Sequence, residues 1–174
     1  MAAAVLFVVL AAGVYAYLSF LPPPAGPRAS ILSYPLEFSV ELDKAEYLVG
    51  ENATIRLCLK NIGNQTITLT FPSMWTEYDY DKRRSYSMHF DFTITDANGA
   101  EVYQWSKGRL AIPATYDVTL NPEEEINNTI LWYYPKYVSV PAGIYSLRGM
   151  LYRIEVAGIW PITLETPQIT FTIK

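Results

Sequence analysis

The stretch from residue 72 to residue 87 concentrates the side chains best suited to recognising another protein. Tyrosine and tryptophan supply large contact areas at low entropic cost, and arginine is enriched at binding hot spots. The composition therefore predicts a partner-binding surface, with an ordinary long loop or an edge strand as the alternatives. Its candidate contact residues are three aromatic and three basic side chains: Trp75, Tyr78, Tyr80, Lys82, Arg83 and Arg84.

The same stretch carries three alternating carboxylates, Glu77, Asp79 and Asp81. On a strand they would converge on one face, where they could hold a calcium ion. The stretch lacks the glycine and the ordered twelve-residue pattern of a calcium-binding loop. A solvated strand edge is the simpler interpretation, and we expect neither a metal ion nor any other cofactor.

The chain has one cysteine, Cys58, and one histidine, His89. An intrachain disulfide is excluded, and so are zinc and blue-copper sites in their usual forms. The positive charges of Arg56 and Lys60 would lower the pKa of the Cys58 thiol and make it more reactive. The default interpretation is a small strand residue without a chemical role, and His89 is expected to be a surface histidine.

The sequence lacks the motifs of the common hydrolases and nucleotide-binding proteins. It contains no Gly-x-Ser-x-Gly, no glycine-rich phosphate loop and no paired-histidine motif, so we expect no catalytic residues and no enzyme activity. The formal net charge of −4 disfavours a surface that binds nucleic acid through phosphates.

Strands rather than helices must position these residues, because the apolar pattern alternates from Leu36 onward. Turn residues separate the strands, with Asp96-Ala97-Asn98-Gly99 as the clearest hairpin. The pattern predicts an all-β, immunoglobulin-like antiparallel β-sandwich of seven to nine strands. The predicted strands cover residues 36–42, 53–60, 66–71, 88–95, 101–105, 116–120, 126–133, 144–152 and 168–173.

The N-terminus differs from the rest of the chain. Residues 1–21 carry no charged side chain and predict one transmembrane helix, with a cleaved signal peptide as the alternative. A proline-rich stalk, residues 22–35, would lead into a domain at 36–174. Glycosylation sequons at Asn52, Asn64 and Asn127 favour an exported domain. We therefore expect a single-pass protein of the cell membrane with its domain outside the cytoplasm.

Several short motifs carry a family resemblance. They are Leu-Cys-Leu-Lys-Asn at 57–61, Phe-Asp-Phe at 90–92, Val-Tyr-Gln-Trp-Ser-Lys at 102–107, Ile-Leu-Trp at 130–132 and Val-Pro-Ala-Gly-Ile-Tyr at 140–145. In this order and spacing, over residues 51–174, the sequence resembles the BsuPI-type intracellular proteinase inhibitor domain. The resemblance implies an immunoglobulin-like sandwich and inhibition of a subtilisin-like serine protease. The expected membrane helix and the expanded 72–87 stretch depart from that family.

A protease inhibitor needs a rigid, exposed segment that enters the cleft in extended form. The basic triplet at 82–84 would suit a protease that prefers basic side chains, although the chain could equally be cut there. The second exposed candidate is Lys107-Gly108-Arg109. The sequence therefore predicts a membrane-anchored domain that binds a protein partner, with Lys107 and Arg109 as further contact residues. The alternatives are a structural subunit of an envelope or filament assembly, or a non-inhibitory auxiliary domain. The oligomeric state stays open.

Overall fold

The computed structural model describes residues 26–71, 74–79, 84–88, 90–112, 115–132, 140–156 and 159–174. These residues form β-strands joined by turns, and none of them is helical. The strands are β1 (Arg28–Ser33), β2 (Leu36–Leu42), β3 (Glu46–Tyr47), β4 (Ala53–Asn61), β5 (Ile67–Phe71), β6 (Met74–Asp79), β7 (Arg84–Met88), β8 (Asp91–Asp96), β9 (Glu101–Gln104), β10 (Leu110–Ile112), β11 (Tyr116–Leu120), β12 (Glu125–Trp132), β13 (Gly143–Val156), β14 (Ile159–Glu165) and β15 (Ile169–Ile173).

Two sheets enclose the core. The first is antiparallel, with the order β1-β2-β4-β12. The second is built around the long strand β13, which pairs with β15 and β14 along one edge and with β8 and β5 along the other. Strand β3 adds to β15 in parallel, whereas the other pairs are antiparallel. The all-β, two-sheet architecture agrees with the predicted sandwich.

Alternating apolar residues fill the space between the sheets, because successive strand side chains point to opposite faces. Phe171 has aromatic neighbours on three sides, in Tyr47, Trp132 and Tyr145. The largest fully buried side chains come from both sheets and include Phe38, Phe71, Phe90, Phe92, Leu57, Leu59, Leu69 and Ile94. Burial of each such side chain contributes about 1.5–3 kcal/mol, so this core dominates the stability of the domain.

One end of the sandwich is fastened by a buried polar residue, Asn61. Its amide donates to the carbonyls of Gln65 at 2.8 Å and Leu120 at 3.0 Å, and its side-chain oxygen accepts from the Gly63 N–H at 2.9 Å. These bonds use three of the four that a side-chain amide can make, so the group is buried with partners. Asn61 thereby joins the β4–β5 turn to the end of β11.

The structure differs from the sequence expectation in the number of strands, which is fifteen in the described residues alone, compared with the expected seven to nine. The additional strands are short, interrupted by proline or rich in polar residues, so alternation alone does not reveal them. The N-terminal boundary also differs. Strand β1 lies inside the segment expected to be stalk and pairs with β2 from Arg28↔Glu41 to Ser33↔Leu36.

The predicted transmembrane helix, residues 1–21, and the first part of the stalk lie outside the described residues. Among the residues that are described, no helix has the length and apolar character needed to cross a membrane.

Candidate protein-binding site

A third, three-stranded sheet leaves the sandwich at a discontinuity in the second sheet. Strand β5 pairs with the end of β13 at Glu155↔Thr70, and β8 takes over along the same edge of β13 from Met150↔Asp91. The chain between β5 and β8 contains β6 and β7, which pair with each other instead of with β13. The stretch expected to be a loop is therefore partly a β-hairpin.

The hairpin is joined by β10, which pairs with β6 at Leu110↔Thr76 and Ile112↔Met74. The resulting order is β10-β6-β7, and we call this sheet the insert. Strand β10 directly follows Lys107 and Arg109, so the structure unites two candidate segments that the sequence treated as separate. In the described part of the chain, β7 pairs only with β6 and forms an edge of the insert.

The predicted contact residues are divided between this sheet and segments beyond the described structure. Trp75 and Tyr78 lie in β6, and Arg84 is the first residue of β7. Tyr80, Lys82, Arg83, His89 and Asp81 lie outside the described residues. The calcium hypothesis lies there too, since it needs Asp81. No cluster suited to a metal ion occurs among the His, Cys, Asp and Glu side chains that are described.

A buried carboxylate holds the base of the insert. Asp91, at the start of β8, is 1% exposed. Its Oδ1 accepts hydrogen bonds from the Phe92 N–H at 2.8 Å and the Ser106 N–H at 3.0 Å. Its Oδ2 accepts from Gln104 Nε2 at 2.8 Å and Ser106 Oγ at 2.6 Å. Four donors stabilise the buried carboxylate, and the bonds fix the turn at 105–109 against β8.

The side chains of this turn are also engaged. The Arg109 guanidinium lies 4.3 Å from the Trp105 ring centroid and donates to the Trp105 carbonyl. Lys107 Nζ lies 2.5 Å from Glu101 Oε1. The Lys107 N–H donates to the Gln104 carbonyl, and the Arg109 N–H donates to the Ser106 carbonyl.

This geometry is a compact turn, whereas a segment that enters a protease cleft is extended. Gly108 has φ of +78°, a left-handed conformation that favours glycine. Lys107 and Arg109 thus stabilise the turn that leads into β10. The sequence alone assigns no role to Asp91. Its position between two core phenylalanines was the available signal, but its hydrogen-bond partner Ser106 lies in the separate connection after β9.

The pKa of the Cys58 thiol shifts in the direction opposite to the one that its basic sequence neighbours suggest. Burial, together with the hydrogen bond from Sγ to Glu125 Oε2 at 3.2 Å, raises the pKa of its thiol to about 11. The charge of Arg56 lowers this pKa but is outweighed. Arg56 Nη2 is instead paired with Glu125 Oε1 at 2.7 Å. The alternative of an activated thiol is therefore wrong, because burial and the Glu125 carboxylate of β12 outweigh the basic neighbours.

The three sequon asparagines are exposed. Asn52 precedes β4, Asn64 lies in the β4–β5 turn, and Asn127 lies on β12, an edge of the first sheet. Each amide is therefore at the surface of the domain.

Comparison with known proteins identifies the family of this chain. Residues 40–156 match the sequence profile of BsuPI, described as an intracellular proteinase inhibitor. The chain belongs to the BsuPI family. The match begins in β2 and ends with β13, so it includes the insert and the Asp91-bound turn. Among curated proteins, none matches this chain significantly.

Solved structures resemble this BsuPI chain only distantly. The ApaA protein from Bordetella pertussis is 11% identical with a TM-score of 0.43, covering 86% of this chain and 98% of its own. The CARDB domain of a Pyrococcus furiosus protein is 13% identical with a TM-score of 0.38, and the alignment covers 88% of this chain and 93% of that domain. Spo0M from Bacillus subtilis is 14% identical with a TM-score of 0.38, covering 82% and 50%. At these scores the similarities support no argument about function.

Proposed function

We propose that this protein is a membrane-anchored proteinase inhibitor whose insert contacts a subtilisin-like serine protease outside the cytoplasm. The observation that carries the proposal is the BsuPI match across residues 40–156, since that family is named for proteinase inhibition. Inhibition requires a protein partner and no catalytic group of the inhibitor's own. The target protease and the membrane anchor are the parts of the proposal that need experiment.

The edge strand β7 is the segment we assign to the protease cleft. It is extended, and in the described part of the chain its outer edge has no strand partner. Proteases bind peptide segments in extended form, and an exposed strand edge can pair with another chain through main-chain hydrogen bonds. The basic triplet at 82–84 ends at the first residue of β7, which favours a protease that prefers basic side chains.

The second requirement is a rigid insert, because a protease cleaves a flexible segment instead of being inhibited by it. Preorganised segments also bind more tightly, since less ordering entropy is lost on association. Asp91 meets this requirement indirectly: it fixes the 105–109 turn, and the turn leads into β10, which pairs with β6. Asp91 and Ser106 are therefore positioning residues, while β7 makes the contact.

The test is inhibition of a panel of subtilisin-like proteases by the full chain, purified in mild detergent. The mass of the intact chain is measured afterwards, which distinguishes an inhibitor from a substrate. Stoichiometric inhibition with an uncut chain is the expected result. The matched comparison is Arg84→Glu against Arg28→Glu, because Arg28 is an exposed arginine of the first sheet.

Inhibition that survives Arg84→Glu unchanged would exclude β7 as the contact strand. No inhibition across the panel, or cleavage within the insert, would leave the BsuPI domain with a binding or scaffolding role.

A further inference from the structure

The entry point of the N-terminal segment selects one end of the sandwich. The Leu42 N–H donates to the Pro27 carbonyl at 3.0 Å, which fixes the chain just before β1 beside the end of β2. A Cβ added to Gly26 would lie 1.7 Å from the Leu42 carbonyl oxygen, so only glycine allows this approach. The first described residues therefore lie at the end of the sandwich that carries residues 43–51.

That end exposes large apolar side chains. Leu48 is 66% exposed and Val49 is 56% exposed, next to each other at the tip of the loop between β3 and β4. Leu131 and Ile144 are exposed near the same end. Leu131 is the next-to-last residue of β12, and Ile144 is the second residue of β13. Four of the seven large apolar side chains exposed in the described residues thus lie at the end where the N-terminal segment enters.

The loop holds Leu48 and Val49 in a defined conformation. The Leu48 N–H donates to Glu51 Oε2 at 2.9 Å, and the Glu51 N–H donates back to the Leu48 carbonyl at 2.9 Å. The Val49 N–H donates to the Lys174 carbonyl at 2.9 Å, and Gly50 has φ of +84°. Backbone groups that are already paired enter an apolar environment at lower cost, because unpaired groups there are heavily penalised.

The charges around this loop are largely paired within the protein. Lys44 pairs with Glu51, and Lys174 Nζ lies 2.6 Å from Glu46 Oε2. Asp43 accepts hydrogen bonds from the Tyr47 hydroxyl and the Thr54 N–H. Among the described residues of this end, pairing leaves no basic patch for anionic headgroups, so apolar insertion into neutral lipid is the interaction that they favour.

Chain length excludes the opposite end as the membrane-facing one. From residue 21 to residue 26 a fully extended chain reaches at most about 18 Å. Strand β4 has nine residues and alone spans about 30 Å between the two ends. The segment cannot pass along the sandwich to its far end, where Leu32 and Tyr34 are exposed.

We propose that the sandwich rests on the bilayer through its 43–51 end, with Leu48 and Val49 inserted into the interface of neutral lipid. This inference depends on the membrane anchor included in the proposed function. The opposite end of the sandwich then lies away from the membrane, because the 43–51 loop and the N-terminal segment meet the lipid together.

The experiment uses the full chain in phosphatidylcholine liposomes, with a nitrobenzoxadiazole fluorophore on a single cysteine. Cys58→Ala supplies the background, and the label is placed by Leu48→Cys or, as the matched control at the far end, by Tyr34→Cys. Lipids with a nitroxide on the acyl chain quench fluorophores that enter the interface. We expect the label at 48 to be quenched at least about twofold more than the label at 34.

Flotation with the liposomes tests the anchor separately. A chain that floats but shows equal quenching at 48 and 34, or stronger quenching at 34, overturns the inference and leaves the anchor standing. A chain that does not float overturns both. A second test places the label at Ala142→Cys, an exposed position that directly precedes β13 at the same end. With Leu48→Asp and Val49→Asp added, the chain should float normally, but the label should lose most of the quenching that it shows without these two changes.

Discussion

The sandwich core and the insert are built from the same kind of element but are held in place differently. The core strands are paired along long registers, such as the eight residue pairs from Glu125↔Lys60 to Trp132↔Ala53 between β12 and β4. The insert has no pairing with either main sheet in the described residues. Among the described residues, its strand β10 follows the turn at 105–109, which Asp91 holds against β8 through hydrogen bonds from Ser106.

This difference separates stability from recognition. Apolar burial in the core determines whether the domain folds, because it supplies the dominant favourable free energy. A small polar network determines how firmly the insert is presented. Substitutions in the core and at the outer edge of the insert should therefore affect different measurements, whereas a substitution of Asp91, which lies where the two regions join, should affect both.

The largest effect is expected in the core. Phe171→Ala removes a ring that contacts Tyr47, Trp132 and Tyr145, and should lower the free energy of unfolding by about 3–5 kcal/mol. Urea denaturation measures this change. Thr170→Ala, on the exposed face of the same strand, is the control and should have little effect. A loss below 1 kcal/mol for Phe171→Ala would mean that the aromatic cluster relaxes into the space.

An intermediate effect is expected where the insert joins the core. Asp91→Asn keeps the shape of the side chain but replaces one acceptor oxygen with an NH2 group. This donor then faces a donor of Gln104 or Ser106, so a hydrogen bond is lost. The unpaired group should lower the free energy of unfolding by about 1–3 kcal/mol. Hydrogen exchange should accelerate at the amides of Ser106 and Arg109.

The control for this substitution is Asp117→Asn, an exposed carboxylate of β11 that accepts a hydrogen bond from Thr70. Its loss of stability should stay within about 0.5 kcal/mol. If Asp91→Asn destabilised the domain without faster exchange in the 105–109 turn, Asp91 would serve the core rather than the insert.

A binding effect without a stability effect is expected at the edge of the insert. Arg84→Glu should weaken protease inhibition by about tenfold or more, equivalent to about 1.4 kcal/mol. The midpoint of urea unfolding should stay the same, since β7 pairs only with β6 among the described strands. An inhibition constant measured beside that of Arg28→Glu checks the prediction. Equal losses in both variants would indicate nonspecific electrostatics instead of a contact at β7.

The effect expected to be smallest at neutral pH is the one at Cys58. Its thiol has a pKa near 11 in the folded chain, compared with an ordinary value of 9.0. The unfolded chain releases this proton first as the pH rises, so the stabilisation is complete below pH 9 and is lost between pH 9 and pH 11. Cys58→Ala should flatten this part of the stability profile, measured by urea denaturation at stepped pH.

Tyr47 and Tyr152 also have raised pKa values, mainly through burial, so their alkaline loss should persist in the Cys58→Ala variant. Identical profiles for the two proteins would show that the folded chain does not raise the pKa of Cys58. Slow alkylation of Cys58 at pH 8 in the folded chain, compared with the urea-unfolded chain, is the companion measurement.

The alternation of apolar residues was enough to predict the two-sheet, all-β core. Leu57 and Leu59 alternate with Cys58, and Phe90 and Phe92 alternate with Asp91, because strand side chains change faces at every residue. The family also followed from the sequence, since its motifs depend on local order and spacing. Local signals of this kind lie within a few residues of one another, so a linear reading finds them.

Tertiary structure alone decided the relations that join distant residues. The sequence could not show that β10 pairs with β6, or that Ser106 covers Asp91. It predicted the wrong direction for the Cys58 pKa because the nearest charges in the chain are basic, whereas Glu125 lies 67 residues away and contacts the thiol across β4 and β12. Hydrogen bonds and electrostatic interactions depend on distance in space, and only the folded chain determines that distance.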